Sequence, residues 1–199
     1  IAQSPKVKKL YAAPGNGGMY ELAECVDIKA EDTEGLFNFA KDKKIDLTVV
    51  GPEAPLMAGI VNKFEKEGLK IFGPTQEAAQ LETSKVFAKE FMSRHKIPTA
   101  EFRVFDDASQ ARDYVMNRQA PMVVKADGLA QGKGVIVSKT TEEALEAIEL
   151  IMRKRTFGKS GDRIIVEDCL QGEEVSILVI TDGENLVFKT ILQKHPNGF

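Results

Sequence analysis

The stretch Val123-Val124-Lys125-Ala126-Asp127-Gly128-Leu129-Ala130-Gln131-Gly132-Lys133-Gly134-Val135 decides how the second half of this chain is interpreted. An apolar strand delivers Lys125 at its end, and three glycines with a second lysine, Lys133, follow within nine residues. Glycines let backbone N–H groups approach phosphate oxygens, and lysines neutralise phosphate charge. The segment fits neither the Walker A pattern GxxxxGK[ST] nor the dinucleotide-binding pattern GxGxxG. It therefore predicts a nucleotide-phosphate loop of another kind, with a plain glycine-rich hairpin as the alternative.

Two further segments fit the same interpretation. Upstream, a helix predicted over 84–95 places Lys85 roughly 200° around the axis from Phe87, so the lysine can face a cleft while Phe87 and Phe91 pack. Downstream, an apolar strand over 164–167 runs into an acidic connection that ends at Glu174. Such a connection can read an adenine edge and hold ribose hydroxyls. Taken alone, a lysine such as Lys85 is more often simply solvated on its helix, and an ordinary acidic turn explains the downstream connection at least equally well.

Hydrophobic periodicity divides the chain into two halves. In the first, strands predicted at 7–12, 26–28, 45–50 and 69–72 are separated by helices at 36–44 and 56–67, which indicates a parallel α/β sheet. In the second, strands predicted at 102–105, 122–126, 132–138, 164–167, 175–181 and 186–192 accompany helices at 109–117 and after a Thr140/Glu143 capping box, with a hairpin turn at Asp182-Gly183. This half is α+β. We place the boundary near Pro98, giving domains 1–98 and 99–199.

Composition excludes several classes of function. The 199 residues carry a net charge of −3, without the basic excess of a nucleic-acid or anionic-membrane partner. No apolar run approaches the ~20 residues of a membrane helix. Cys25 and Cys169 form no CxxC pair, which argues against a disulfide framework or a thiolate zinc site. A reducing, cytoplasmic setting is the expectation, and the start at Ile1 indicates a piece of a longer chain.

Together, the helix lysine, the strand lysine with its glycine loop, and the E-x-x-L-x-G-x-E segment resemble the ATP-grasp superfamily. Within this superfamily, several short runs of the sequence are similar to the phosphoribosylamine–glycine ligase family. The similar runs are Gly51-Pro52-Glu53-Ala54-Pro55-Leu56, Phe72-Gly73-Pro74-Thr75, Ser84-Lys85, Ile97-Pro98-Thr99-Ala100 and Lys125-Ala126-Asp127-Gly128-Leu129-Ala130. The resemblance implies an α/β N-terminal lobe with a parallel sheet (pre-ATP-grasp), incomplete at its start. α+β ATP-grasp lobes, incomplete at their end, follow it.

The resemblance also implies site residues. Lys125 and Lys133 are expected to be catalytic, and two residues just past strand ends, Asn16 and Glu53, to bind phosphoribosylamine. A turn or N-cap role fits Glu53 equally. The implied ATP-binding set is Lys85, Lys125, Gly128, Gly132, Lys133, Gly134, Glu167, Asp168, Leu170 and Glu174.

The implied chemistry is phosphorylation of glycine by ATP to glycyl phosphate, followed by attack of the 5-phosphoribosylamine amine. ATP and Mg²⁺ or Mn²⁺ are the implied cofactors, with metal ligands expected beyond Phe199. The sequence is close to the animal members of this family, in which the ligase is usually one part of a larger multifunctional polypeptide. The resemblance therefore implies such a polypeptide here. The chain departs from the family near its end, where Pro196 stands in place of a lysine, so His195 is given little weight.

Three other interpretations stay open at this point. One is a different ATP-grasp enzyme that activates a carboxylate, and another is a nucleotide-binding module without turnover. The third, a Rossmann-type oxidoreductase, is disfavoured because no GxGxxG follows the first strand.

Overall fold

The computed structural model describes residues 1–130, 133–173 and 175–193. The first lobe is built from short parallel strands and connecting helices. Strand β1 pairs in parallel with β2, and β3 pairs in parallel with β4. This confirms the α/β class, with the strands arranged as two separate pairs. In chain order the elements are β1 (Tyr11–Ala12), β2 (Glu24–Cys25), α1 (Thr33–Asp42), β3 (Thr48–Val49), α2 (Glu53–Met57), α3 (Ile60–Lys66), β4 (Ile71–Phe72) and α4 (Gln76–Thr83).

The core of the first lobe lies between α1 and α3. Phe37 and Phe64 are buried there with their rings edge to face and their centroids 5.7 Å apart. Asp32 begins α1 by accepting a 2.8 Å hydrogen bond from the Gly35 N–H, which satisfies one unpaired donor of the first turn. The lobe is thus held by an apolar helix pair packed against strands of only two residues.

Three features of the first lobe differ from the prediction. The helix predicted over 56–67 is two helices, because Gly59 adopts a left-handed conformation (φ +77°) between α2 and α3. The strand predicted at 26–28 is wrong, since the pairing with β1 uses Glu24 and Cys25 instead. Helix α4, which Thr75 caps, is absent from the prediction.

The second lobe centres on an antiparallel sheet in the order β5-β8-β6-β7. A π-helical turn follows α7 at Glu149–Arg153, and a 3₁₀ turn spans Gly158–Gly161. Helix α5 (Lys85–Arg94) precedes the predicted boundary. The elements after that boundary are β5 (Phe102–Phe105), α6 (Ala108–Met116), β6 (Met122–Ala126), β7 (Val135–Ser138), α7 (Thr141–Ile148), β8 (Ile164–Asp168), β9 (Val175–Thr181) and β10 (Leu186–Gln193). The α+β prediction for this half is confirmed.

The two faces of this sheet have different partners. Met122, Val124 and Val166 point to one face and join the buried core beneath α6 and α7. The alternate residues Lys125 and Glu167 point to the other face, because Val123 lies directly opposite Glu167 in the β6–β8 register. Helix α5 packs on that second face. Because of this register, Lys125 of β6 and Glu167 of β8 both lie on the face of the sheet that α5 covers.

Strands β9 and β10 form the predicted hairpin. Asp182 closes the turn by accepting hydrogen bonds from the backbone N–H groups of Glu184 and Asn185, at 3.0 and 2.7 Å. Among the residues described, no helix is long and apolar enough to cross a membrane. The domain boundary at residue 98 stays a prediction.

Candidate functional site

The start of α5 is tied to the end of β6. Ser84 caps the helix by accepting a 3.1 Å hydrogen bond from the Phe87 N–H. Asp127, just past β6, accepts from the Ser84 hydroxyl at 2.9 Å and from the Val86 N–H at 3.2 Å. A carboxylate at a helix N-terminus is favoured by the helix dipole. The contact fixes Lys85, which lies between those two donors, relative to the strand that carries Lys125.

Lys85 reaches toward the start of the glycine loop. Its Nζ donates a 3.0 Å hydrogen bond to the carbonyl of Gly128, three residues after Lys125. Gly128 has φ +96°, and a Cβ there would lie 3.0 Å from the Ser160 hydroxyl, so this position favours glycine on two counts. The expectation that Phe87 and Phe91 form the packed side of α5 holds only in part. Both rings stack on each other but are half-buried, and Val86 and Lys89 are the buried residues of the helix.

Glu167 lies between two lysines on the α5 side of the sheet. Lys125 Nζ pairs with its Oε1, and Lys89 Nζ lies 2.7 Å from its Oε2 in an ion pair that lacks hydrogen-bond alignment. The side chains of Lys89 and Glu167 are 9% and 7% exposed, whereas Lys125 is 26% exposed. Lys85 lies one helical turn, about 6 Å, before Lys89 on the same face of α5. Two lysines thus flank Glu167, and Lys85 lies one helical turn before Lys89, so lysines outnumber the glutamate at this end of α5.

The glycine loop is described only in part. Gly132 lies outside the described residues. Lys133 is exposed, and its backbone N–H donates to the Ala130 carbonyl at 2.9 Å. A Cβ on Gly134 would lie 2.6 Å from that of Ala130 and 3.2 Å from that of Ala126. Gly134 is therefore required for the close approach of the loop to the end of β6.

The strand end predicted to hold adenine is occupied by ion pairs. Glu167 faces Lys89 and Lys125, as described above. Asp168 pairs with Arg118, and the hydrogen bond that the Arg118 guanidinium donates to Asp168 raises the pKa of the guanidinium. Leu170 is 74% exposed, and Glu174 and His195 lie outside the described residues. Leu170 thus offers an apolar surface beside the two acidic residues.

The two predicted phosphoribosylamine ligands lie in the first lobe. Asn16 is exposed, and its Oδ1 accepts a 3.0 Å hydrogen bond from the Gly18 N–H. Glu53 is the first residue of α2 and lines a depression of about 160 Å³ with Leu56, Pro74 and Thr83. In the part of the chain that the structure describes, no hydrogen bond or ion pair joins either residue to the lysines around Glu167. Their role stays a prediction.

Sequence reasoning did not identify three residues of this site: Lys89, Asp127 and Arg163. Arg163 donates to the second Asp127 oxygen at 2.6 Å. The spacing of Lys85 and Lys89 by four residues puts both on one helix face, so that signal is present in the sequence. Nothing in the sequence pairs Asp127 with Ser84, because that contact joins residues 43 positions apart.

No cluster of three or more metal-ligating side chains is found within residues 1–130, 133–173 and 175–193. The positive surface around Lys85 and Lys125 is suited to phosphate groups, whereas a divalent cation requires oxygen ligands.

An α/β lobe followed by an antiparallel sheet, with a glycine loop after its β6 strand and a capped helix across its second face, is the architecture of an ATP-grasp protein. Comparison with known proteins narrows this class. The sequence pattern of the family described as "Phosphoribosylglycinamide synthetase, N domain" matches residues 1–82, and that of "Phosphoribosylglycinamide synthetase, ATP-grasp (A) domain" matches residues 83–199. The chain belongs to the phosphoribosylglycinamide synthetase family. ATP use and a divalent metal are general features of ATP-grasp ligases.

Individual relatives agree with the family assignment. The chain is 51% identical over 187 residues to the phosphoribosylamine–glycine ligase of Caldanaerobacter subterraneus, covering 94% of this chain and 45% of that protein. It is 52% identical over 196 residues to that of Vibrio vulnificus, covering 98% and 46%. The crystal structure of phosphoribosylamine–glycine ligase from Thermotoga maritima superposes with a TM-score of 0.72 at 30% identity, covering 92% of this chain and 43% of that one. The chain thus spans less than half the length of these relatives.

Proposed function

We propose that the protein containing this chain is an ATP-dependent ligase that joins glycine to 5-phosphoribosylamine. The products are glycinamide ribonucleotide, ADP and phosphate, a step of purine biosynthesis. The observation that carries the proposal is that Lys85, which donates to Gly128, and Lys125, near the end of β6, both adjoin the glycine loop in a chain of this family. The two curated relatives described above, at 51% and 52% identity, bear the name of this ligase.

The chemistry requires positive charge where the γ-phosphoryl group of ATP is transferred to the glycine carboxylate. Lys85 and Lys125 are proposed to bind the phosphates, since the Lys85 ammonium donates to the Gly128 carbonyl and Lys125 lies near the end of β6, three residues before Gly128. Fixed cations stabilise charge that develops on a transferring phosphoryl group. Lys133 is proposed to reach in from the loop and, with Lys125, to act in phosphoryl transfer.

The second half-reaction is the attack of an amine on glycyl phosphate, a labile acyl phosphate. A loop that closes over the nucleotide would exclude water from that intermediate. We assign this role to residues 128–134 and nucleoside binding to Glu167, Asp168, Leu170 and Glu174. Asn16 and Glu53 are assigned to phosphoribosylamine.

Finer features of the proposal come from the family resemblance. The divalent ion would be Mg²⁺ or Mn²⁺, held by residues outside this chain. The setting would be cytoplasmic, and the polypeptide would carry further purine-pathway activities.

The test is ADP release by the full-length protein containing this chain, measured with ATP, phosphoribosylamine and glycine, each omitted in turn. The proposal expects release only when all three are present. Replacing glycine by bicarbonate or formate should give no turnover, and activity with either would favour another carboxylate-activating ATP-grasp enzyme. ATP binding without glycine-dependent ADP release would identify a binding module instead and would contradict the proposal.

A further inference from the structure

Lys89 is a buried charge in helix α5 to which the family resemblance assigns no role. Its side chain is 9% exposed, and its ammonium lies over the Phe102 ring at 5.1 Å from the centroid. Burying an ammonium is costly unless acceptors surround it. The surroundings of Lys89 therefore show what keeps this charge in place.

Three oxygen atoms lie close to the Lys89 ammonium: two accept hydrogen bonds from it, and the third is an ion-pair partner. The Thr99 hydroxyl lies 2.6 Å away, the Ala100 carbonyl 3.0 Å, and Glu167 Oε2 2.7 Å. An ammonium has only three donors. Thr99 and Ala100 engage two of these donors and the side chain is buried, so Lys89 is less available to a phosphate oxygen than Lys85 one turn earlier, which is half-buried.

Glu167 divides its carboxylate between the two lysines. Oε2 faces Lys89, and Oε1 pairs with Lys125, the more exposed of the two. Within the described part of the chain, Glu167 is the single hydrogen-bonding or ionic partner of the Lys125 ammonium. The strength with which Glu167 attracts Lys125 then depends on how much of its charge Lys89 already balances.

We infer that Lys89 is a positioning residue for Lys125 and acts through Glu167. With Lys89 in place, the carboxylate is held from the side of α5, and Lys125 is oriented at the end of β6 without being fully neutralised. Lys125 then keeps positive charge and donors for a phosphate group. The inference rests on the proposed function, because it assumes that Lys125 binds ATP phosphates.

Lys89→Met should weaken phosphate binding by Lys125. Glu167 would keep Lys125 as its only cation, and the pair would close more tightly, so phosphate binding would weaken. We expect the KM for ATP to rise about tenfold, which corresponds to about 1.4 kcal/mol, with a much smaller change in the KM for glycine. Lys89→Arg keeps the charge and is expected to restore most of the ATP affinity.

The test is a double-mutant cycle of Lys89→Met and Glu167→Gln in the full-length protein, with ATP and glycine KM and kcat measured for each. Lys63→Met is the matched control, because it removes a helix lysine whose partner is Glu34 in the first lobe. The inference expects Lys89→Met to raise the ATP KM about tenfold when Glu167 is present and to have almost no effect when residue 167 is glutamine. Lys63→Met should leave the ATP KM unchanged.

The contrary outcomes are distinct. Equal effects of Lys89→Met in both backgrounds would mean that Lys89 does not act through Glu167. A lower melting temperature with an unchanged ATP KM would leave Lys89 only a structural role, and either result overturns the inference while the proposed function stands. A wild-type protein without ATP-dependent turnover would overturn both. If the Lys89→Met protein does not fold, the double variant Lys89→Met/Glu167→Gln is compared with Glu167→Gln alone. The two proteins are then expected to have equal KM values for ATP.

Discussion

Replacing Asp127 by alanine should detach the start of α5 from the end of β6. The carboxylate is only 10% exposed and accepts hydrogen bonds from the Ser84 hydroxyl and the Val86 N–H, while Arg163 pairs with its other oxygen. Hydrogen bonds to a charged group contribute about 1.5 kcal/mol or more each. The Arg163 pair, with its arginine half-exposed, adds less than about 1 kcal/mol. We therefore expect Asp127→Ala to lower the free energy of unfolding by about 3 kcal/mol.

The measurement is urea unfolding followed by circular dichroism, with two comparison variants. Asp127→Asn keeps an oxygen acceptor for Ser84 and Val86 but loses the charge, so about half of the loss is expected. Asp106→Ala removes an exposed carboxylate that makes no hydrogen bond with the described residues, and it should change stability by less than about 0.5 kcal/mol. A loss for Asp127→Ala no larger than that for Asp106→Ala would refute the idea that this carboxylate holds α5 to the sheet.

Two further predictions concern the glycine loop and the hairpin. Gly134→Ala should lower the free energy of unfolding in urea by about 1–3 kcal/mol, because the new methyl would lie 2.6 Å from the Ala130 Cβ. Gly51→Ala is the control, since the space around its Cβ is open, and it should be nearly neutral. Equal effects of the two substitutions would contradict the packing argument. The hydrogen bonds from Asn185 lower the pKa of Asp182 from 3.8 to about 2, so the carboxylate stabilises the turn above pH 3.8 and this contribution fades as the pH falls toward 2. A carbon-13 NMR titration should give that midpoint. Asn185→Ala removes the side-chain bond but keeps the backbone bond, so it should raise the midpoint only part of the way to 3.8, and a midpoint of 3.8 in the unchanged protein would show that the turn lacks these bonds.

Local patterns predicted the elements of the second lobe closely. Strands β5, β6 and β9 begin and end where the apolar runs do, and the cap of α5 at Ser84 follows from ordinary helix signals. The first lobe was harder to predict, because strands of two residues carry little periodicity. The left-handed Gly59 also interrupts a run of residues whose composition suits a single helix.

The partners of the charged residues could not be predicted from the sequence. Lys85 is recognisable as a lysine near the start of a helix and Lys125 as a lysine between a strand and a glycine loop. The position of Glu167 between Lys125 and Lys89, in contrast, depends on the β6–β8 register. The same holds for Asp168, where pairing with Arg118 joins residues 50 positions apart. Local signals specify elements, and ion pairs between distant residues arise only when those elements pack.

The central claim is that Lys85 and Lys125 bind the phosphates of one ATP molecule. Calorimetric titration of the full-length wild-type protein, Lys85→Met and Lys125→Met with ATP, and separately with adenosine, tests it most directly. The account predicts that each substitution weakens ATP binding by about tenfold or more while adenosine binding changes little, since only phosphate contacts are lost. Unchanged ATP affinity in either variant, or an equal loss for adenosine, would contradict the account.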